Sequence, residues 1–300
     1  MAARPRRPAA AATSRRSPSL AAALAHGKRQ AEAAIRARRA AMRGKRAGAA
    51  GLLVAEGDSW FDYPFHDVLS ALERRFDFEI ESVAHRGDSA EELAYDTAQL
   101  AGVARLLERR ARQDRRPRAI LLSAGGNDVA GSEFRVLLNH RDSGLPPLSD
   151  AVVRGVVEER VRFALASVLG AVTELSRHYF GAALPIVVHG YDYPVPDGRG
   201  YLGGFWLLPG PWMEPGFRQK GYRDLAERAA IARALIDRFN GMLASLPAQR
   251  GLTHVRVADL RGALPGTLVG RRYRRWWENE LHPTARGFER VAARIAAAVP

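Results

Sequence analysis

The hydrophobic rhythm of the chain changes near residue 50. Before that point large apolar residues are sparse (Leu20, Leu24, Ile35, Met42) and sit among Ala, Arg, Pro and Ser. Such a segment cannot bury enough surface to offset the entropy of ordering it, so residues 1–18 are expected to be disordered and 20–43 weakly helical, with Gly27 as an interruption. From Leu52 onward, short apolar runs alternate with long stretches of helical spacing. The runs Leu52–Glu56, Glu79–Ala84, Ala119–Ala124, Pro185–His189 and His254–Ala258 have the length of strands. Between and after them, apolar residues recur at steps of three and four from Phe65 to Phe76, Leu93 to Leu107, Val153 to Leu175, Leu225 to Leu243 and Phe288 to Val299, which predicts helices. Ser89 and Glu92 have the spacing of a capping box for the second of these. Strands alternating with helices predict an α/β fold: a five-stranded parallel sheet covered on both faces, with ligands bound beyond the carboxyl ends of the strands.

Charge divides the chain at the same place. The formal net charge is +14, but residues 1–50 hold 13 Lys and Arg against Glu32 alone, leaving 33 basic and 31 acidic groups for the other 250 residues. The reading is therefore a basic Ala/Arg-rich extension over 1–50 and one nearly neutral domain over 51–300. Contact of the basic arm with nucleic acid or an anionic surface stays open as an alternative. An export signal at Ser14-Arg15-Arg16 is disfavoured, because only six mostly Ala residues follow before His26-Gly27-Lys28, and a cytoplasmic location is expected. The apolar runs fall short of the ~18 residues of a membrane span. With no cysteine in the chain, disulfides, thiolate metal sites and a Cys nucleophile are excluded.

Four strand-end or pre-helix motifs carry candidate chemistry. The first strand runs into Gly57-Asp58-Ser59-Trp60, a tight turn that places a hydroxyl as a nucleophile would be placed, although Gly-Asp-Ser is also ordinary turn chemistry. The second ends at His85-Arg86-Gly87-Asp88-Ser89, where Gly87 could bring a bare backbone N–H to a substrate oxygen. The third ends in Gly125-Gly126-Asn127-Asp128, whose Asn side chain can donate into an oxyanion site. Near the carboxyl end, Asn279-Glu280-Leu281-His282-Pro283 sets a histidine just before the last helix.

Ser, Gly, Asn and His in this order and at these places resemble the SGNH hydrolases, the GDSL-like lipase/esterase superfamily, over residues 52–300. The resemblance implies a flavodoxin-like three-layer α/β/α sandwich and hydrolysis of an acyl or aryl ester without a metal or other cofactor. It implies Ser59 as nucleophile and, through its own N–H, oxyanion donor; Gly87 and Asn127 as the other donors; and His282 as general base. Transfer of the acyl group to a sugar or alcohol on the same scaffold, or a catalytically idle scaffold, are the alternatives. Two positions depart from the family pattern. Trp60 stands where Leu is usual, and Asn279 occupies the place of the acid three residues before the histidine. An amide can hold the tautomer of the ring but cannot supply the charge, whose loss elsewhere costs up to ~10⁴ in rate. Glu280 is the favoured substitute, with Glu278 and Asp259 open and Asn279 itself as a neutral alternative.

The Gly- and Pro-rich stretch 190–217 holds seven of the 24 aromatic residues, Phe205, Trp206, Trp212 and Phe217 among them. As it follows the fourth strand, it is expected to form a pocket wall or lid, or else to cover core at the sheet edge. Trp60, Tyr191, Asp192, Tyr193 and Trp206 are the pocket candidates, with a hydrogen-bonding structural role expected for Asp192 and His189. The remaining histidines show no metal-ligand spacing, so no metal is expected.

Overall fold

The computed structural model describes residues 50–203 and 209–300. The basic extension, Phe205 and Trp206 lie outside the described residues, and with them the expectations about the arm. Among the described residues no helix is long and apolar enough to cross a membrane.

All five strands form at the expected places: β1 Leu52–Gly57, β2 Glu79–Ser82, β3 Ala119–Ser123, β4 Ile186–His189 and β5 Val255–Ala258. They make one parallel sheet in the order β2-β1-β3-β4-β5. Every residue of the central strands β1 and β3 is buried, which is why they read as unbroken apolar runs, whereas the edge strand β2 is half-exposed and reads as Glu-Ile-Glu-Ser. Helices cover both faces, giving the flavodoxin-like α/β/α sandwich.

On one face α1 (Val68–Phe76) packs against the last helix of the chain, Ala285–Ala298. On the other lie α2 (Ala90–Tyr95), α3 (Thr97–Arg112) and α5 (Arg162–Phe180), which follows α4 (Asp150–Val153). Two further helices complete the set, the short α6 (Glu214–Gln219) and the long α7 (Leu225–Ser245), so the terminal helix is α8.

Three helical expectations are refined. Phe65 is 85% exposed at φ +71 and lies outside α1, which starts after its cap Asp67. The helix expected over Leu93–Leu107 is two helices: the Ser89/Glu92 capping box opens α2, and Asp96, extended and accepting from Ala98 N–H, opens α3. Between α4 and α5, Arg154–Val161 is a π-helical segment. The valines at 153, 157 and 161 step by four residues, outrunning the 3.6 period, and the widened turns keep all three fully buried.

Candidate active site

The strand order reverses between β1 and β3, and the site lies at this switch point, where crossovers leave a crevice beyond the strand ends. Gly57 ends β1 beside Ser123, and a Cβ there would stand 2.4 Å from the Ser123 carbonyl oxygen, so only glycine lets the two central strands end this close together. The turn that follows is braced from below. Asp58, 1% exposed, donates its N–H to Ser123 O (2.9 Å) and accepts from Ser123 Oγ (2.7 Å), Trp60 N–H (3.0 Å) and the Tyr191 hydroxyl. Tyr191 OH in turn accepts from Gly126 N–H (3.0 Å), which ties the β1 turn to the β3 turn. Ser59 projects from this frame.

Ser59, Gly87 and Asn127 line one cleft. Among the described residues the N–H groups of Ser59 and Gly87 donate to no protein acceptor. Gly87 sits at φ +96, a conformation that glycine adopts without strain, and lines this cleft. One N–H of the Asn127 amide donates to Asp88 O (2.8 Å), which fixes the side chain and leaves the second N–H for a ligand.

His282 reaches over from the loop between Trp276 and α8. Its Nε2 stands 2.8 Å from Ser59 Oγ and its Nδ1 3.1 Å from Asn279 Oδ1. The orientation of that amide follows from its neighbours: Oδ1 also accepts the backbone N–H groups of Leu281 (3.0 Å) and His282 (2.8 Å), so it is the oxygen end. Nδ1 therefore carries the proton, and Nε2 presents its lone pair to the serine hydroxyl. Tyr63 stacks on the imidazole, with ring centroids 4.2 Å apart and planes 19° apart, and Trp212 meets it edge-on at 5.5 Å. This burial, with a smaller contribution from His66, pushes the imidazole pKa down to about 3.

The three acids expected near the base are placed differently from that expectation. Glu280, wholly buried, does not touch His282; its Oε1 accepts from Gly198 N–H (3.0 Å) and Glu214 N–H (3.1 Å), its Oε2 from Trp212 N–H (2.7 Å) and Met213 N–H (2.8 Å). The chain bends through residues 278–281, closed by Glu278 N–H donating to His282 O (2.9 Å), and the Glu280 carboxylate anchors the aromatic segment around Trp212 rather than the imidazole. Burial raises its pKa, against the opposing pull of those four N–H groups. Asp259 is half-exposed and forked onto Arg261. Glu278 accepts from Tyr63 OH (3.2 Å) and stands 2.9 Å from His66 Nε2. The group beside Nδ1 is Asn279.

Of the pocket candidates, Trp60 is buried, stacks on His189 and donates its indole N–H to Leu281 O (3.1 Å), so it couples the serine turn to the histidine loop. Asp192 is wholly buried on the N–H groups of Tyr193, Gly262 and Leu264. Tyr193 hydrogen-bonds Asp237 under the Arg233 guanidinium, away from the site. Tyr63 and His66 were not legible from spacing; only their distance from Glu278 reveals them.

Two spaces meet at Ser59. An open cleft of about 310 Å³ is walled by Tyr63, Arg86, Tyr201 and Trp212. Inward lies a cavity of about 40 Å³ lined by Asn127, Val129, Ala130, Met213 and Leu281. Among the described residues no group of three His, Asp or Glu could hold a metal ion.

No family model matches the chain, and no curated protein matches it. Solved structures do. LAE5, an α/β hydrolase enzyme from the metagenome of Lake Arreo, Spain, is 15% identical over 84% of this chain and 96% of its own, with a TM-score of 0.45. A protein assigned as a GDSL-like lipase from Parabacteroides merdae is 13% identical over 85% and 97%, TM-score 0.47. Est24, a carbohydrate acetylesterase from Sinorhizobium meliloti, is 15% identical over 82% and 97%, TM-score 0.46. Each of these likenesses covers more than four fifths of the chain at low identity.

Proposed function

We propose that the protein is a serine-dependent hydrolase of short-chain acyl esters. The observation that carries this reading is the 2.8 Å contact between Ser59 Oγ and the unprotonated Nε2 of His282, in a cleft that Gly87 and Asn127 also line. In the proposed reaction His282 takes the Ser59 proton as Oγ adds to the ester carbonyl. The oxyanion is held by the N–H groups of Ser59, Gly87 and Asn127. Collapse breaks the ester bond, the alcohol leaves with the proton from His282, and water, deprotonated by the same ring, releases the acid from the acyl-serine.

The acid side of the ester goes inward and the alcohol side outward. A cavity of about 40 Å³ has room for roughly two or three heavy atoms, an acetyl or propionyl tail, since one water takes about 10–15 Å³ on the same measure. The cleft walled by Tyr63, Tyr201 and Trp212 accepts the larger alcohol. Treatment with a fluorophosphonate and a panel of esters tests the reading. Labelling is expected on the wild type and not on Ser59→Ala, with kcat/KM for acetyl esters ~10-fold or more above that for octanoyl esters. Equal labelling of both proteins sinks the nucleophile assignment; a preference for long chains sinks the inward placement of the acyl group.

A further inference from the structure

Asn279 can serve a catalytic histidine only in one of its two amide orientations. Reversed, it would set N–H against Nδ1, stabilise the Nε2–H tautomer and leave Ser59 facing a donor instead of a base. The oxygen end is held by two backbone N–H groups, as described above. The nitrogen end is fully buried and needs an acceptor of its own. Nδ2 donates to Tyr63 OH (2.9 Å), and a phenol hydroxyl is a clean acceptor only when its own proton is directed elsewhere. That proton goes to Glu278 Oε1, while Glu278 Oε2 stands 2.9 Å from His66. The chain of donors thus runs in one sense, from imidazole to amide to phenol to carboxylate.

We propose that Tyr63 and Glu278 are positioning residues for the base: through Asn279 they lock His282 in the Nδ1–H tautomer and relay a carboxylate's charge to a ring that has no carboxylate beside it. The relay stabilises the imidazolium that forms as Ser59 attacks, because each polarised hydrogen bond strengthens the next in a site of low dielectric. It rests on the hydrolase reading, so its test includes a readout that needs no turnover. The ¹⁵N shifts of the His282 ring distinguish the two tautomers directly.

In the wild type the Nδ1–H form is expected alone, and in Tyr63→Phe and Glu278→Gln a mixture. The phenylalanine keeps the stacking on His282, and thermal melting checks that the variants fold. Each change is expected to lower kcat by ~10- to 100-fold with KM little altered, below the ~10⁴ of a wholly wrong tautomer. The decisive comparison is the same pair of changes in an Asn279→Asp background. A carboxylate has no wrong end and carries its own charge, so there Tyr63→Phe and Glu278→Gln should cost less than ~3-fold. Equal losses in both backgrounds would mean that Tyr63 and Glu278 act only as packing, and an unchanged tautomer with unchanged kcat would mean that Asn279 acts alone; either overturns the relay. If the tautomer shifts as expected but no ester is cleaved, the relay stands and the hydrolase reading falls.

Discussion

The strand-end loops and the loop from Trp276 to Thr284 each deliver half of the site, by different means. At the strand ends the backbone does the placing: the register of β1 against β3, the close approach at Gly57 and the brace of Asp58 leave Ser59 with one position to occupy. In the histidine loop side chains do it, through two anchors with different partners, Glu280 on the backbone around Met213 and Asn279 on the backbone and ring of His282. A site built on backbone announces itself by small residues at fixed places. A site built on a side-chain network can exchange its acid for an amide and compensate through residues 215 or more positions away, such as Tyr63.

The largest expected effect tests the junction between the halves. His282→Ala should reduce ester turnover by ~10⁴-fold or more while the fold is retained, because the serine then has no base. Turnover within tenfold of wild type would show that the two halves do not work together. Next comes the anchor. Glu280→Gln points an NH₂ group at one pair of the four backbone N–H groups that the carboxylate accepts, losing two charge-assisted hydrogen bonds. A loss of about 3 kcal/mol is expected, seen as a melting temperature lower by roughly 10 °C. If kcat falls and the melting temperature does not, Glu280 serves the base and the contrast drawn above fails.

The smallest expected effect concerns pH. Burial first, and His66 second, hold the His282 imidazole neutral to about pH 3, against 6.5 when unperturbed. The base therefore stays competent as pH falls through 6.5, and the acid limb of kcat/KM should lie well below that value. In Asn279→Asp the adjacent charge favours imidazolium and should move the limb upward by about one to two pH units. The sign for stability agrees: the unfolded chain takes up this proton near 6.5 and the folded chain only near 3, so stability from this group is present above 6.5 and declines as pH falls between the two. A wild-type limb at 6.5 or higher would show a histidine supported by a full charge.

The sheet, its both-face coverage and the places of Ser59, Gly87, Asn127 and His282 were legible because they depend on periodicity and on which residue follows each strand. The break at Asp96 was not, since two capping residues seven positions apart lie within an apolar spacing that continues across them. Nor was the partner of His282. Glu278, Asn279 and Glu280 are adjacent in sequence, but the chain bends through them and sends their side chains in different directions, and linear order does not say which one faces the ring. Glu280, the favoured carboxylate, faces the N–H groups of residues 198 and 212–214; Glu278 faces Tyr63 and His66, which nothing in the spacing singles out.

Trp60 joins the two halves through its hydrogen bond to Leu281 O, across 221 positions of chain. On the ribosome those partners emerge far apart in time. The serine turn is made early; the carbonyl that Trp60 must find, the histidine beside it and the helix α8 that clamps the loop against α1 come last. A nascent chain that has already closed β1 against β3 thus holds Ser59 without its histidine partner until the segment from Trp276 through α8 docks, so on the proposed reading chemistry begins only once that segment has been made.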